Sequence, residues 1–452
     1  MTEKKRDNLD RRQFIGAIGV VGAAGAIGAL AAGCSGGKEG EAVDKKRVQV
    51  EEPQFLDQAP DGEVLKAGLI GCGGRGTGAA LNFLSSGPNL EIVALGDVFE
   101  DRLNGCRERL KKEKNVEIAD GQCFVGFDAY KKVIDAGVDV ILTATPPHFR
   151  PEHFAACIEA RKHVFMEKPV AVDPVGARSI IATSRKADAV GLCVVTGTQR
   201  HHQRDYVSTY ARIASGAIGQ IVSANCYWNQ SQLWYRNRQE GWSDMEYMIR
   251  DWVNWCWLSG DHIVEQHVHN IDVINWFSGA QPEKAVGFGG RHRRKTGDQY
   301  DFFSVDFEYD NGMHVHSMCR QIDGCADNVS ERIQGTKGWS NCKNTIYNPD
   351  GSVQWKYDYG LNAEGKPRNS VAVSPYVQEH IDLVAAIRAG KPINEAERTA
   401  ISTLAAVMGR ISAYTGKKMT WDEMMSSSLR IGPETYALGP VAIEPVAPVP
   451  GT

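Results

Sequence analysis

Apolar positions along this chain follow two rhythms. Compact apolar runs occupy residues 64–70, 90–95, 138–143, 164–166 and 192–195. Runs this short, bounded by turn residues, read as strands buried on both faces. Between them, residues 77–84, 130–136, 151–160 and 174–187 read as helical segments. Strands alternating with helices predict a doubly wound parallel sheet. Later the period falls to two. Phe303, Val305, Phe307 and Tyr309 alternate with polar residues, as do Val315 and Cys319 around His314 and His316. That pattern predicts an antiparallel-type sheet with one packed face. Two more helices are expected, one from near Pro375 to Arg388 before Ala389-Gly390, the other over 398–414 and ending at Gly416. The fold class is thus α/β, a doubly wound parallel sheet joined to an α+β domain with a mostly antiparallel sheet.

The two chain ends fit neither rhythm. Asp10-Arg11-Arg12-Gln13-Phe14-Ile15-Gly16 sets paired arginines before an uncharged, Gly- and Ala-rich stretch ending Leu30-Ala31-Ala32-Gly33-Cys34. Residues 1–33 read as a twin-arginine signal peptide; a membrane span is the alternative, weakened by the glycines. Ala31-Ala32-Gly33-Cys34 resembles a lipoprotein cleavage box, with Cys34 the acylated first residue and the membrane anchor. Residues 34–60 form a polar tether. Residues 61–198 make the nucleotide domain, 199–372 a substrate domain, and 373–425 C-terminal helices. The tail 426–452, with Pro440, Pro445, Pro448 and Pro450, is expected to be extended or disordered.

Composition narrows the function class. With 452 residues, 42 % apolar and 23 % charged, the chain can build two or three packed units. The net charge is −4, and the basic runs Lys45-Lys46-Arg47 and Arg291-His292-Arg293-Arg294-Lys295 are short and isolated. No nucleic-acid partner is expected from such a chain. The 11 cysteines include no Cys-x-x-Cys pair, so neither a zinc site nor a disulfide lattice is indicated.

The first apolar run leads into Gly71-Cys72-Gly73-Gly74-Arg75-Gly76, the spacing G-x-G-x-x-G, and then a helix. Gly71 permits the tight turn, Gly73 lets the backbone approach a pyrophosphate, and Gly76 allows close helix packing. Free N–H groups at the helix start would meet the phosphates. The second run ends at Asp97, about 20 residues further on, where an acid binds the ribose hydroxyls of NAD and repels the extra phosphate of NADP. A glycine-rich surface loop and a plain turn aspartate are the alternatives.

Thr145-Pro146-Pro147-His148 and Glu167-Lys168-Pro169 each follow a strand, and in open α/β sheets ligands sit at the carboxyl ends of strands. With these motifs, and a later acid-x-x-x-His-x-x-Asp at Glu265, His269 and Asp272, residues 61–425 closely resemble the Gfo/Idh/MocA oxidoreductase family. The Thr-Pro-x-x-His motif is one residue short here. The resemblance implies a Rossmann domain, an α+β domain with a large open sheet, and NAD as cofactor. It places Gly71, Gly73, Arg75, Gly76, Asp97, Thr145, Pro146, His148, Glu167 and Lys168 at that cofactor. It makes Lys168 the group beside the nicotinamide and the reacting oxygen, with Pro169 in a cis turn.

At 100° per residue, Val264, Val268, Ile271 and Ile274 share one helical face. His262, Glu265, His269, Asp272 and Trp276 share another. Glu265 and His269 are four apart, so the carboxylate is expected beside the imidazole, orienting a general base. The resemblance puts His269 on the family's catalytic histidine, while Glu265 departs from the more usual aspartate. His267 is expected in the core. A zinc reading with Glu265, His269 and His314 or His316 is the disfavoured alternative, and no metal is expected. Arg200 in Gln199-Arg200-His201-His202, Trp234 and Trp252 in an aromatic insertion, His262 and Asp272 are candidates for contacting a sugar, glycoside or cyclic polyol.

The expected activity is oxidation of such a hydroxyl by a retained NAD, in an exported, lipid-anchored, homo-oligomeric protein of the periplasm or cell envelope. Two alternatives stand beside it: a redox-neutral glycosidase and a non-enzymatic sugar or nucleotide sensor.

Overall fold

The computed structural model describes residues 54–451. The twin-arginine segment, Cys34 and most of the tether lie outside the described residues. In the first domain, β1 (Leu65–Ile70), β2 (Leu90–Asp97), β3 (Cys123–Val125), β4 (Val140–Thr143), β5 (His163–Met166) and β6 (Val194–Thr196) form a six-stranded parallel sheet. Its order is β3-β2-β1-β4-β5-β6, so the chain reverses direction across the sheet between β1 and β4. Helices cover both faces. Residues such as Leu69, Leu95, Leu142 and Phe165 pack on one side, and Ile70, Ile141, Val164 and Met166 on the other. Burial on both faces is why these strands read as unbroken apolar runs.

The second domain is built on β7 (Ile221–Gln230), β8 (Pro282–Gly290), β9 (Phe302–Tyr309), β10 (His314–Gln321), β11 (Asn328–Gly335), β12 (Gly338–Ser340), β13 (Thr345–Tyr347), β14 (Val353–Lys356) and β15 (Met419–Thr420). They form one sheet in the order β14-β13-β12-β11-β7-β10-β9-β8-β15. It is antiparallel except where β10 runs parallel to β7. The alternating residues Phe303, Val305, Phe307, Val315 and Cys319 face its core. His314 and His316 stand on the opposite face, beside Asp306 and Ser304.

The helices Pro375–Ala389 and Ala396–Thr415 return to the first domain, each ending at a glycine in the left-handed region, Gly390 and Gly416. The first packs against the glycine-loop helix, and the second lies between the domains. Between β6 and the second domain, Gln199–His202 forms a single tight turn.

Three features differ from the sequence expectation. The histidine stretch is two helices, His262–Glu265 and Val268–Ser278. His267 N–H reaches back five residues to the His262 carbonyl, whereas His269 N–H reaches back three to Gln266. This change of bonding register turns residue 269 relative to residue 265. Second, the tail is irregular but docked, because Ile431, Tyr436, Val441 and Ile443 pack into an apolar cluster between the domains. Third, the tether's end also docks. Ala59 N–H donates to the Ser86 carbonyl at 2.7 Å, and Arg204 pairs with Asp57 at 2.7 Å.

Candidate active site

The glycine loop forms as its spacing predicts. Gly71 has φ +93, and a Cβ there would stand 2.8 Å from the Thr145 nitrogen. A Cβ at Gly76 would collide with the Gly71 carbonyl, so the loop and helix Gly74–Ser85 touch only without side chains. Over Gly73 and Gly74 there is open space. The helix start carries no side-chain cap and no acid in its first turn, leaving its N–H groups and positive dipole for phosphates.

A cavity of about 440 Å³ runs from this loop. Gly71, Gly73, Arg75, Asp97, Thr145 and Pro146, all cofactor candidates from the sequence, line it. Asp97 accepts from Cys72 N–H at 2.7 Å and Phe99 N–H at 2.9 Å, fixing the carboxylate at the end of β2. Burial raises its pKa, against those two bonds. A cradle without side chains, a free helix end and a carboxylate at the second strand end fit a dinucleotide.

Arg75 lines this cavity and also reaches the segment that follows β5. Its guanidinium pairs with Glu167, lies 3.5 Å from Glu379, and covers the Tyr376 ring at 4.7 Å. Glu379 is fully buried, and burial pushes its carboxyl well above the usual range, against the pull of Arg75. Beyond Glu167, the Lys168–Pro169 peptide is cis, as the resemblance implied. Lys168 Nζ donates to the Glu265 carbonyl at 2.5 Å and to its carboxylate at 3.1 Å.

Glu265 therefore does not orient His269. The break after the short helix turns its carboxylate to Lys168 and to the Gln266 side chain. His269 instead stacks on Trp228, with ring centroids 5.7 Å apart. Burial, then the charges of Lys168, Arg200 and Arg75, hold its pKa well below 6.5. The imidazole is neutral at neutral pH, and the three cations that depress it share its surroundings. A neutral imidazole near a carboxylate-anchored ammonium can take a hydroxyl proton while the ammonium steadies the oxygen.

The other candidates separate into groups. Arg200 is largely buried, 2.5 Å from Glu331 and 5.8 Å over Trp228. Trp234 and Trp252 line the cavity on its Asp97 side together with Arg236 and Arg250, so they face the nucleotide region. His262 is core: Nδ1 is 2.9 Å from Asp261, and its ring packs on Phe303. Asp272 is also buried, holding His201 at 2.6 Å and the Ser402 hydroxyl at 2.8 Å, and Trp276 stacks on His201. His148 points to the Tyr436 hydroxyl, 2.7 Å away, and burial pushes its pKa down to about 4. His267 is core, 2.7 Å from Ser317. Among the described residues no cluster of three metal-ligating side chains forms.

Sequence reasoning missed Tyr376 and the positions of Trp228, Arg236 and Arg250. Tyr376 lies some 200 residues from Lys168 in sequence and arrives on a returning helix, so no local spacing marks it. Trp228 sits among ten tryptophans, and only the strand pairing of β7 distinguishes it.

The family model described as "Oxidoreductase family, NAD-binding Rossmann fold" matches residues 65–196, and "GFO/IDH/MocA C-terminal domain" matches 206–340. The myo-inositol 2-dehydrogenase of Thermotoga maritima is 26 % identical over 225 residues, 50 % of this chain and 58 % of that protein. The chain thus spans little more than half of that relative. The 2,7-anhydro-N-acetylneuraminate hydratase of Escherichia coli is 26 % identical over 211 residues, 44 % of this chain and 50 % of that one. Among solved structures, the scyllo-inositol dehydrogenase of Lactobacillus casei with bound NAD(H) and scyllo-inositol superposes with a TM-score of 0.58 at 19 % identity. The alignment covers 79 % of this chain and 99 % of that one, a likeness of fold.

Proposed function

We infer that this chain, which belongs to the Gfo/Idh/MocA oxidoreductase family, oxidises a hydroxyl of a sugar, glycoside or cyclic polyol with NAD. The observation that carries the reading is Lys168 held on Glu265 with its charge felt by buried His269, while Arg75, in the wall of the glycine-loop cavity, pairs with Glu167 next to Lys168. The names of the inositol dehydrogenase relatives support the substrate class.

When bound, the nicotinamide supplies hydride-accepting chemistry. Gly71, Gly73, Gly76 and Asp97 would hold the dinucleotide. His269 accepts the hydroxyl proton as the carbon gives up its hydride and becomes a carbonyl. Lys168 donates to the reacting oxygen, and Glu265 holds that ammonium in place. Trp228 and Tyr376 offer flat faces for a ring with apolar faces and a hydroxyl rim. In this reading the chain is exported folded by the twin-arginine route, anchored through Cys34, and keeps its cofactor, which a second substrate recycles.

A redox-neutral variant, in which oxidation, elimination and return of the hydride follow in one cycle, is the second reading. What favours it is the relative named a hydratase. The test mixes the purified mature protein and NAD with inositols and glycosides, following reduced-nicotinamide absorbance and products. Reduction with a keto product supports the first reading. Water addition or aglycone release without net reduction supports the second. Binding of NAD with no chemistry on any polyol or glycoside overturns both.

A further inference from the structure

The Asp97 side of the cavity is walled in part by a segment that belongs to neither β-sheet. Residues 231–259 leave the second domain, lay Trp234, Arg236, Arg250 and Trp252 along the cavity, and include the helix Asp244–Arg250. On the nucleotide domain, Arg250 makes paired hydrogen bonds to Asp101 at 2.9 and 3.1 Å and covers the Phe99 ring at 4.0 Å. Asp101 is more than half exposed, and a surface ion pair of this kind is weak. Beside that pair, Met245, Ile249 and Trp257 of the same lid segment pack with Phe99 and Phe149 of the nucleotide domain.

The tail fastens the lid from outside. Ile431 N–H donates at 3.0 Å to Asp173, whose other oxygen caps helix Pro174–Ala189. Gly432 has φ +114 and passes against His148, where a Cβ would come within 2.6 Å. Tyr436 then bonds His148 and packs on Phe149 at 5.2 Å and on Phe127 at 6.3 Å. Phe127 and Phe149 themselves line the cavity. Next, the Gly439 carbonyl accepts from Met245 N–H at 3.1 Å, and Val441 N–H donates to Asp244 at 3.1 Å, both at the start of the lid helix. Finally the Pro448 carbonyl accepts from Tyr300 in the second domain. The chain is pinned to the nucleotide domain, the lid and the second domain in turn.

We propose that residues 231–259 and 427–451 form a lid and latch over the adenosine half of the dinucleotide site, and that the latch makes cofactor exchange slow. This rests on the NAD reading above. The dinucleotide enters or leaves only when the apolar cluster of Tyr436, Phe149, Met245, Ile249 and Trp257 parts. The latch thereby separates cofactor loading from turnover: one bound dinucleotide serves successive substrates.

The experiment loads the mature protein with NADH, chases with excess NAD, and follows loss of bound-NADH fluorescence. Wild type is expected to keep NADH through gel filtration. Tyr436→Ala, Arg250→Ala and a chain ending at Ser426 should each release it at least tenfold faster, and should also bind it faster. Faster rates in both directions are the mark of a lid, since loss of a direct contact speeds release alone. Tyr436→Phe, which keeps the ring, should fall between and serves if the shortened chain does not fold. Release from wild type as fast as from the variants overturns the latch while the NAD reading stands. Failure of wild type and every variant to bind NADH overturns both.

Discussion

In the proposed reaction, Lys168 and His269 divide one task between a charge that must stay and a proton that must move. Lys168 is anchored through Glu265, while the imidazole has no hydrogen-bond partner among the described residues, leaving its nitrogens for substrate. Lys168→Ala should leave NAD binding intact and lower kcat/KM by about 10²-fold or more, the usual scale for losing a group that stabilises a developing oxyanion. Steady-state kinetics beside NADH titration check this; normal turnover would remove Lys168 from the site. The same substitution bears on His269. Because the Lys168 charge is one of the forces depressing the imidazole, its removal should raise the His269 pKa toward 6.5. A histidine NMR titration reads the shift directly. In wild type the acid limb of kcat/KM should accordingly lie below 6.5.

Individual elements are held in register by buried charges rather than by the strands alone. The turn Gln199–His202 is tied to the returning helices through His202, which lies 2.6 Å from Asp382 and 3.2 Å from Glu395. Burial opposes the charged imidazole, but Glu395 and Asp382 outweigh it and carry the pKa up to about 10. A group raised in the folded state contributes fully below its unfolded value, about 6.5, and loses that contribution as pH rises toward 10. Wild-type stability against urea should therefore fall across that interval more steeply than that of His202→Gln. The variant itself should lose about 2 kcal/mol near pH 6, the scale of lost hydrogen bonds to charged groups, because Glu395 keeps Arg398 at 3.2 Å and Asp382 is partly exposed.

Taken as a whole, the molecule carries a second, opposite pH dependence. His153, His201 and His267 are buried and held neutral, with pKa values pushed down to about 3, 4 and 3, in each case first by burial. Unfolding lets each take up a proton below about 6.5, so stability present above that value is lost as pH falls toward 4. Acid unfolding followed by circular dichroism should begin below pH 6.5, and His267→Gln should flatten the slope. An unchanged slope would mean that His267 is not held neutral by the fold. Together the two dependences place the stability maximum near pH 6–7, between the unfolding-linked histidines and His202.

The linear chain was enough for much that depends on period and local geometry, though helices such as Glu100–Lys114 went unread. Solid apolar runs marked β1, β2, β4 and β5 because both faces are buried, and period two marked β9 and β10 because one face is. Gly71, Gly73, Gly76 and Asp97 were legible because a phosphate cradle needs missing side chains at set intervals. Side-chain direction was not. Equal helical spacing put His262, Glu265, His269 and Asp272 on one stripe, yet a shift in backbone bonding at His267 gave each side chain a different partner. Nor did any local pattern announce that Pro-rich residues 427–451 would pack, since each anchor is a lone apolar side chain whose partners come from remote segments. Periodicity records how much of an element is buried; which neighbour does the burying is settled only when distant segments compete for the same space.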